Sequence, residues 1–259
     1  MSLVAAALLL LLQSGAGLSG RDRSELRVGL DTLYGGAFPA AAAYFAALAA
    51  RDSADPAPVI FEAGAYIWWA AALQSDAYEA HRIDSLLAVA IVRAASQPPG
   101  PTREFWLATA LGYRARQRDV EGHSWGAAKD GKAMRNAYRR VLQVDSGCVD
   151  CYLGLGVYEY GLARAGGLAR FVAKLVGLGS GSAALGISYL RRASRDGDLA
   201  RVEATWVLAA ALVREAARDP GGRAVLQHEA SGYVRRLAER YPANPVFQRF
   251  LQETPGPTP

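Results

Sequence analysis

The sequence is poor in the residues that build metal sites. Its three histidines, His81, His123 and His228, stand without a carboxylate or a second histidine at the spacing of a metal-ligand set. Its two cysteines, Cys148 and Cys151, make one Cys-x-x-Cys pair, which alone is half of a zinc site. We therefore expect no metal site.

Lysine is scarce as well, because Lys129, Lys132 and Lys174 are the only lysines of the chain. The formal net charge is +5, and the arginines are spread over amphipathic segments. A nucleic-acid-binding surface usually shows a basic stripe interleaved with aromatic residues. We therefore expect no nucleic-acid partner.

Motifs for cofactors and catalysis are also missing. The glycine-rich stretch 177–182 lacks both the Gly-Lys-Ser/Thr end of a phosphate-binding loop and the preceding strand of a dinucleotide site. Serine, histidine and aspartate residues occur, but none stands in a nucleophile elbow. We expect no cofactor and no enzymatic activity.

Charged residues are absent from the apolar run at 3–12, a stretch too short to span a bilayer but suited to the core of a signal peptide. Ser14 and Ala16 supply the small residues of a cleavage site after Ala16. We expect a signal peptide at 1–16, a linker at 17–24, and export to the periplasm or cell envelope of a bacterium. The missing basic residues before the run count against a signal peptide, and a buried first helix is the alternative.

From residue 25 onward, apolar residues recur at helical spacing, with breaks at glycine and proline. One such face comprises Ile83, Leu86, Leu87, Ala90 and Ile91. The pattern predicts paired helices over 25–50, 59–96 and 103–144, further helices over 183–194, 199–218, 223–240 and 246–252, and a disordered tail over 253–259.

The segment 143–161 joins two helices in a repeat pattern. Tyr152, Leu155 and Gly156 have the spacing of the aromatic residue, leucine and glycine of a tetratricopeptide repeat. The glycine lets two antiparallel helices approach closely, and Gly29 and Gly112 occupy the matching place in earlier helices. The sequence therefore predicts close helix crossings at these glycines.

The chain resembles tetratricopeptide-repeat proteins, most closely exported bacterial proteins similar to a mitochondrial-outer-membrane family linked to inclusion-body clearance. The resemblance covers residues 59–252 and rests on the order of Trp68-Trp69, YLGLGVYEY at 152–160 and RYPANPVF at 240–247. It departs at Ser146, where the repeat has a proline. The resemblance implies an all-α fold, namely a right-handed α-solenoid of tetratricopeptide-like helical hairpins over 25–252, and a scaffold without catalysis.

The tryptophan pair Trp68-Trp69 stands beside Ile67 in a predicted helix. Two indoles can stack on a ligand, but at helical spacing beside an apolar residue they usually pack in the core. We expect this pair to pack.

Cys148 and Cys151 leave three interpretations open. Two close cysteines at a helix start can form a local disulfide in an exported protein, remain inert thiols, or act in redox exchange. No segment with strand periodicity surrounds them, as a thioredoxin-like unit would require. A disulfide here would close a very small loop and contribute little stability.

Residues 162–182 interrupt the repeats with an amphipathic insert. Between Leu168 and Leu178 the apolar side chains share one arc, while Arg170 and Lys174 lie on another. Such a segment can pack on the solenoid, fill its groove, or make peripheral contact with a membrane surface. All three interpretations stay open.

Repeat phase also predicts the lining of a concave groove. If Tyr152 and Trp206 take the buried aromatic position, residues that follow them at helical spacing share the inner face. The candidate peptide groove comprises Tyr113, Arg116, Leu153, Val157, Tyr160 and Arg214, with Thr109, Val207 and Ala211 at matching places. Tyrosine gives contact area and arginine pairs with a carboxylate, which suits peptide capture.

The predicted function is thus a non-catalytic scaffold of the cell envelope that captures a peptide or partner helix in this groove. The alternative is a membrane-surface-associated accessory protein or a weak hydrolase subunit.

Overall fold

The computed structural model describes residues 23–166, 177 and 179–254. The predicted signal peptide at 1–16, most of the linker, most of the amphipathic arc between Leu168 and Leu178, and the tail from residue 255 lie outside the described residues.

All regular secondary structure in the described residues is α-helical, which confirms the all-α class for that part of the chain. The helices are α1 (Arg23–Tyr34), α2 (Phe38–Arg51), α3 (Ala57–Leu73), α4 (Ala80–Ala95), α5 (Pro101–Val120), α6 (Ser124–Val144), α7 (Cys151–Arg164), α8 (Ala183–Asp196), α9 (Arg201–Ala216), α10 (Arg223–Arg240) and α11 (Pro245–Glu253). The predicted helix pairs are confirmed to within a few residues.

Helix boundaries follow local sequence signals. Pro101 and Pro245 stand at the start of α5 and α11, where the missing N–H would have no intrahelical partner. The Asn244 side chain accepts the backbone N–H of Val246 at 2.9 Å and so caps α11. Gln74 ends α3 in the left-handed region, at φ 53°.

Each helix packs against the next, and odd-numbered helices also contact one another. These contacts join α1 to α3, α3 to α5, α5 to α7, and α7 to α9. α3 lies at the centre of this arrangement, and most of its residues are buried. The odd-numbered helices therefore form a continuous layer.

Glycine permits the closest crossings. A Cβ on Gly156 would lie 2.8 Å from Leu190 Cγ, and one on Gly29 would lie 2.4 Å from Phe45 Cζ. Gly112 faces Met134 in the same way, at 2.8 Å from its sulfur. The close crossings predicted at Gly29 and Gly156 are confirmed, because a side chain there would overlap an aromatic ring or the backbone of another helix, whereas at Gly112 the neighbour is the flexible end of Met134.

Helix α11 returns to the first part of the chain. The Arg249 guanidinium donates to the carbonyls of Ala71 at 2.6 Å and Ala72 at 3.2 Å, at the end of α3. The Asn244 side-chain amide donates to the Tyr34 carbonyl at 2.8 Å. The helix predicted over 246–252 and the turn before it thus tie the end of the described chain to α1 and α3.

Candidate binding pocket

A pocket of about 280 Å³ lies among α3, α5, α6, α7 and α9. Its aromatic wall is made of Trp68, Tyr113, Tyr138 and Trp206. Aliphatic and sulfur-containing side chains, among them Ile67, Met134, Leu153, Val157 and Val207, line the rest. Its polar side chains are Thr109, Arg116 and Glu203.

The structure brings four of the six predicted groove residues into this pocket. Tyr113 and Arg116 come from α5, and Leu153 and Val157 from α7. Thr109 and Val207, at matching places in the repeat phase, also line it. The pocket lies where the second halves of α3 and α5 meet the first halves of α7 and α9.

Tyr160 and Arg214 lie elsewhere, which differs from the predicted lining. The Tyr160 hydroxyl lies against α9, 3.2 Å from the Ala211 carbonyl and 2.9 Å from Glu215 Oε1. Arg214 is exposed and does not line the pocket. Tyr160 follows Leu153 on the same face of α7, but α9 covers that face at its level.

Tyr152 and Trp206, which were expected to share the buried aromatic position of the repeat, lie in different surroundings. Trp206 lines the pocket itself. Tyr152 is half-buried on the side of α8, where its ring packs on Tyr189 at 5.1 Å and below the Arg192 guanidinium at 4.2 Å. Equal repeat positions therefore do not share one environment here.

Sequence reasoning missed Glu203 and assigned Trp68 to packing alone. Trp68 does pack, edge-on against Tyr34 and Phe247 with ring centroids 5.4 and 5.7 Å away, but it also lines the pocket. Glu203 stands in the first turn of α9, where an acidic residue is ordinary. Its spacing of three from Trp206 puts both on one helix face, and that was the available signal.

A hydrogen bond from Tyr113 holds Glu203 at the pocket wall. The Tyr113 hydroxyl donates to Glu203 Oε2 at 2.5 Å. Burial raises the pKa of Glu203 above its usual range, although the Tyr113 hydrogen bond and the charge of Arg116 oppose the shift. Burial likewise raises the pKa of Tyr113 well above its usual value, so the phenol keeps its proton.

Arg116 is the cation of the pocket. Burial lowers the pKa of its guanidinium, although Asp76 and Glu203 oppose that shift. Its Nη1 donates to Gln117 Oε1 over a long 3.4 Å. Within the described residues no carboxylate lies in ion-pair contact with Arg116. Guanidinium donors are thus available to a ligand.

The remaining pocket hydroxyls are already engaged. The Thr109 hydroxyl donates to the Phe105 carbonyl at 2.9 Å and lies 3.0 Å from the Tyr138 hydroxyl. Burial raises the pKa of Tyr138, so its proton stays for this contact. Arg116 and Glu203 are therefore the polar groups left to orient a bound molecule.

The segment with the two cysteines does not line the pocket and instead connects α7 to α9. Cys148 and Cys151 are joined as a disulfide at the start of α7, and both are buried. Between them, the buried carboxylate of Asp150 accepts three backbone N–H groups from the turn before α9, those of Asp198 at 2.7 Å, Leu199 at 3.1 Å and Ala200 at 3.3 Å. Asp150 thus ties α7 to α9, a role that the sequence did not reveal.

Among residues 23–166, 177 and 179–254, no helix is long and apolar enough to cross a membrane. The same residues contain no group of three His, Cys, Asp or Glu side chains that could hold a metal ion. Comparison with known proteins finds no matching family model, no similar curated protein and no similar solved structure.

Proposed function

We propose that this protein is a non-catalytic binding protein whose pocket holds an apolar group of a peptide partner, with a carboxylate of that peptide on Arg116. The observation that carries the proposal is an aromatic pocket with an arginine that contacts no carboxylate of the described residues. Ligand pockets are mostly apolar and use a few polar groups to fix orientation. An arginine in such a place pairs well with a carboxylate.

The volume of the pocket limits what enters it. At about 280 Å³ it suits one or two apolar side chains rather than a whole helix. Burial raises the pKa of Glu203, which reduces its repulsion of a peptide carboxylate relative to an ordinary glutamate. The partner is therefore a peptide with an apolar residue beside an acidic residue or beside its C-terminus.

The finer architecture and the location belong to the same proposal. Consecutive packing of the helices and contacts between odd-numbered helices support an α-solenoid of tetratricopeptide-like hairpins, for which the resemblance implies a right-handed course. The apolar run at 3–12, followed by Ser14 and Ala16, supports export to the cell envelope.

A peptide library displayed on phage tests the pocket. Val157→Trp places an indole in the pocket wall, where Val157 is 43% exposed. Val92→Trp makes the same change on α4, where Val92 is 65% exposed and outside the pocket lining. Peptides with an apolar residue beside a carboxylate should be enriched on the wild type and on Val92→Trp, and lost on Val157→Trp. Equal enrichment on all three proteins would contradict the proposal.

Arg116→Gln tests the charge separately. It should weaken binding of a selected peptide about tenfold, the effect of losing one charged hydrogen bond. Amidating or neutralising the peptide carboxylate should produce the same loss on the wild type and no further loss on Arg116→Gln. Additive losses would show that the carboxylate binds elsewhere.

A further inference from the structure

A second cavity, of about 450 Å³, lies among α8, α9 and α10. Five arginines line it, namely Arg191, Arg195, Arg201, Arg236 and Arg240. All five are exposed to solvent. We call this the arginine cavity, and we propose that it binds a phosphate group.

The carboxylates around the arginine cavity do not balance its charge. Arg191 pairs with Glu229 at 2.9 Å, Arg195 with Asp196 at 2.8 Å, and Arg240 with Asp31 at 3.3 Å. All three pairs lie at the surface, where solvent screening weakens an ion pair, although those of Arg191 and Arg195 are bidentate. A phosphate therefore competes with these carboxylates for the guanidinium groups.

The other two arginines of the cavity, Arg201 and Arg236, contact groups other than carboxylates. Arg201 Nε donates to the Gly197 carbonyl at 2.8 Å, and the Arg236 guanidinium lies 4.9 Å from the centre of the Tyr233 ring. In the described part of the chain neither has a carboxylate in ion-pair contact. The cavity therefore carries five guanidinium groups against three carboxylates.

The placement of the arginines follows from helix geometry. Arg191 and Arg195 are one turn apart on α8, and Arg236 and Arg240 are one turn apart on α10, so each pair shares a helix face. Arg201 is the first residue of α9, where the helix dipole adds positive potential instead of stabilising a cation. An anion would relieve the repulsion among these groups.

Phosphate is the anion whose geometry fits best. Several guanidinium forks can each donate two hydrogen bonds to its oxygens, and arginine recurs at phosphate sites for that reason. The Ser194 and Thr205 hydroxyls line the same cavity, 2.7 Å apart. Because the Thr205 hydroxyl donates to the Arg201 carbonyl at 2.7 Å, Ser194 donates to Thr205, and the guanidinium groups supply the donors for a phosphate. The arginine cavity shares no lining residue with the pocket of the proposed function, so the two sites are independent.

The phosphate can come from a free phosphate compound or from an anionic lipid headgroup, and the experiment separates these sources. Calorimetry with inorganic phosphate and pyrophosphate tests the first source. Co-sedimentation with phosphatidylcholine vesicles, with and without phosphatidylglycerol, tests the second. Binding in either arm supports the proposal, whereas a wild type that binds no probe in either arm overturns it.

Paired variants assign the binding to the cavity. Arg201→Ala with Arg236→Ala should weaken binding at least about tenfold, because it removes the two guanidinium groups without carboxylate partners. Arg139→Ala with Arg218→Ala removes equal charge from exposed positions outside the cavity and should change binding less than about twofold if general charge attraction is minor. Circular dichroism and thermal unfolding confirm that both variants fold.

Three further outcomes overturn the proposal. Equal loss in both double variants would mean general charge attraction. Binding unchanged in the cavity variant would place the anion elsewhere. A hexaglutamate peptide that binds as tightly as pyrophosphate would make the surface a site for acidic peptides instead of phosphate.

Discussion

Two glutamates of α9, Glu203 and Glu215, each contact a tyrosine hydroxyl of another odd-numbered helix, yet their pKa values shift in opposite directions. Glu215 is bonded by Tyr160 at 2.9 Å and by the Arg164 guanidinium, whose Nε lies 2.7 Å from Oε1. The Arg164 hydrogen bonds lower the pKa of Glu215. Glu203 has the Tyr113 bond and, in the described part of the chain, no ion pair with an arginine, and burial raises its pKa.

The difference distinguishes the contact between α7 and α9 at Glu215, where all polar groups are paired, from the pocket at Glu203, where they are not. At Glu215 the tyrosine, the arginine and the carboxylate satisfy one another, and the cluster fastens α7 to α9. Glu203 lies half-buried at the pocket wall and accepts the Tyr113 hydrogen bond, while among the described residues Arg116 makes no ion pair with it. Groups left unbalanced in this way are common where a ligand completes the set.

Of the carboxylates compared, Asp150 should contribute most to the free energy of unfolding, because its buried carboxylate accepts three backbone N–H groups. Asp150→Ala would leave those donors without partners, and we expect a loss of about 3 kcal/mol in the free energy of unfolding. Urea denaturation followed by circular dichroism measures it. The control, Asp119→Ala at an exposed position of α5, should change stability by less than about 0.5 kcal/mol. Similar losses in both variants would contradict the anchoring role of Asp150.

Glu215→Gln tests the complete cluster and should cost about 2 kcal/mol at pH 7, because Arg164 and Tyr160 lose a charged acceptor. The pKa of Glu215 is lowered in the folded state, so its contribution is present above the unfolded value of 4.5 and is lost as pH falls through the folded pKa. Urea unfolding between pH 3 and pH 7 should therefore show a smaller acid loss in the variant.

Glu25→Gln is the matched control for that measurement, since Glu25 and Arg51 form an exposed ion pair. Its effect should stay below about 1 kcal/mol. A Glu215 variant no less stable than this control would mean that the Arg164 cluster fastens nothing.

Removing the two tyrosine hydroxyls sharpens the comparison further. Tyr160→Phe should cost about 1 kcal/mol, because Glu215 keeps its Arg164 bonds. Tyr113→Phe takes the phenolic hydrogen bond from Glu203 and should raise the pKa of that carboxyl group further. Urea unfolding from pH 4 to pH 8 should show stability falling more steeply with pH in Tyr113→Phe than in Tyr160→Phe. Equal slopes would show that the two pairs are equivalent, and the reverse order would contradict the opposite pKa shifts of the two glutamates.

Glu203→Gln should change the free energy of unfolding least at neutral pH. Unlike the other substitutions, it should increase that free energy. The pKa of Glu203 is raised in the folded state, so its neutral form contributes stability below the unfolded value of 4.5, and this is lost as pH rises through the folded pKa. The glutamine stays neutral and should make the protein slightly more stable at pH 7. A variant clearly less stable than the wild type at pH 7 would show that the charged Glu203 is structural.

The comparison also shows what the sequence can and cannot reveal. Helix positions were predictable because apolar periodicity and proline or glycine breaks are local signals, and the tight crossings at Gly29 and Gly156 followed from spacing. The position of Tyr160 outside the pocket was not predictable, because it depends on how closely α9 approaches α7 near Tyr160. Glu203 was passed over because an acidic first-turn residue has an ordinary explanation.

The arginine cavity illustrates the same limit at longer range. The arginine pair of α8 and the arginine pair of α10 each have a spacing of four residues, which is visible in the sequence. That the pair on α8 faces the pair on α10 depends on the path of α9 between them. Long-range juxtaposition of like charges leaves no local pattern.

The bond between Asn244 and the Tyr34 carbonyl spans 210 positions of the chain, and it bears on how the protein folds. Closing so long a loop loses more chain entropy than any hairpin does, and contacts at such separation slow folding. During synthesis, α1 and α2 emerge long before α11 can dock on α3. Until then the apolar surface that α11 covers is open to chaperones or to other nascent chains.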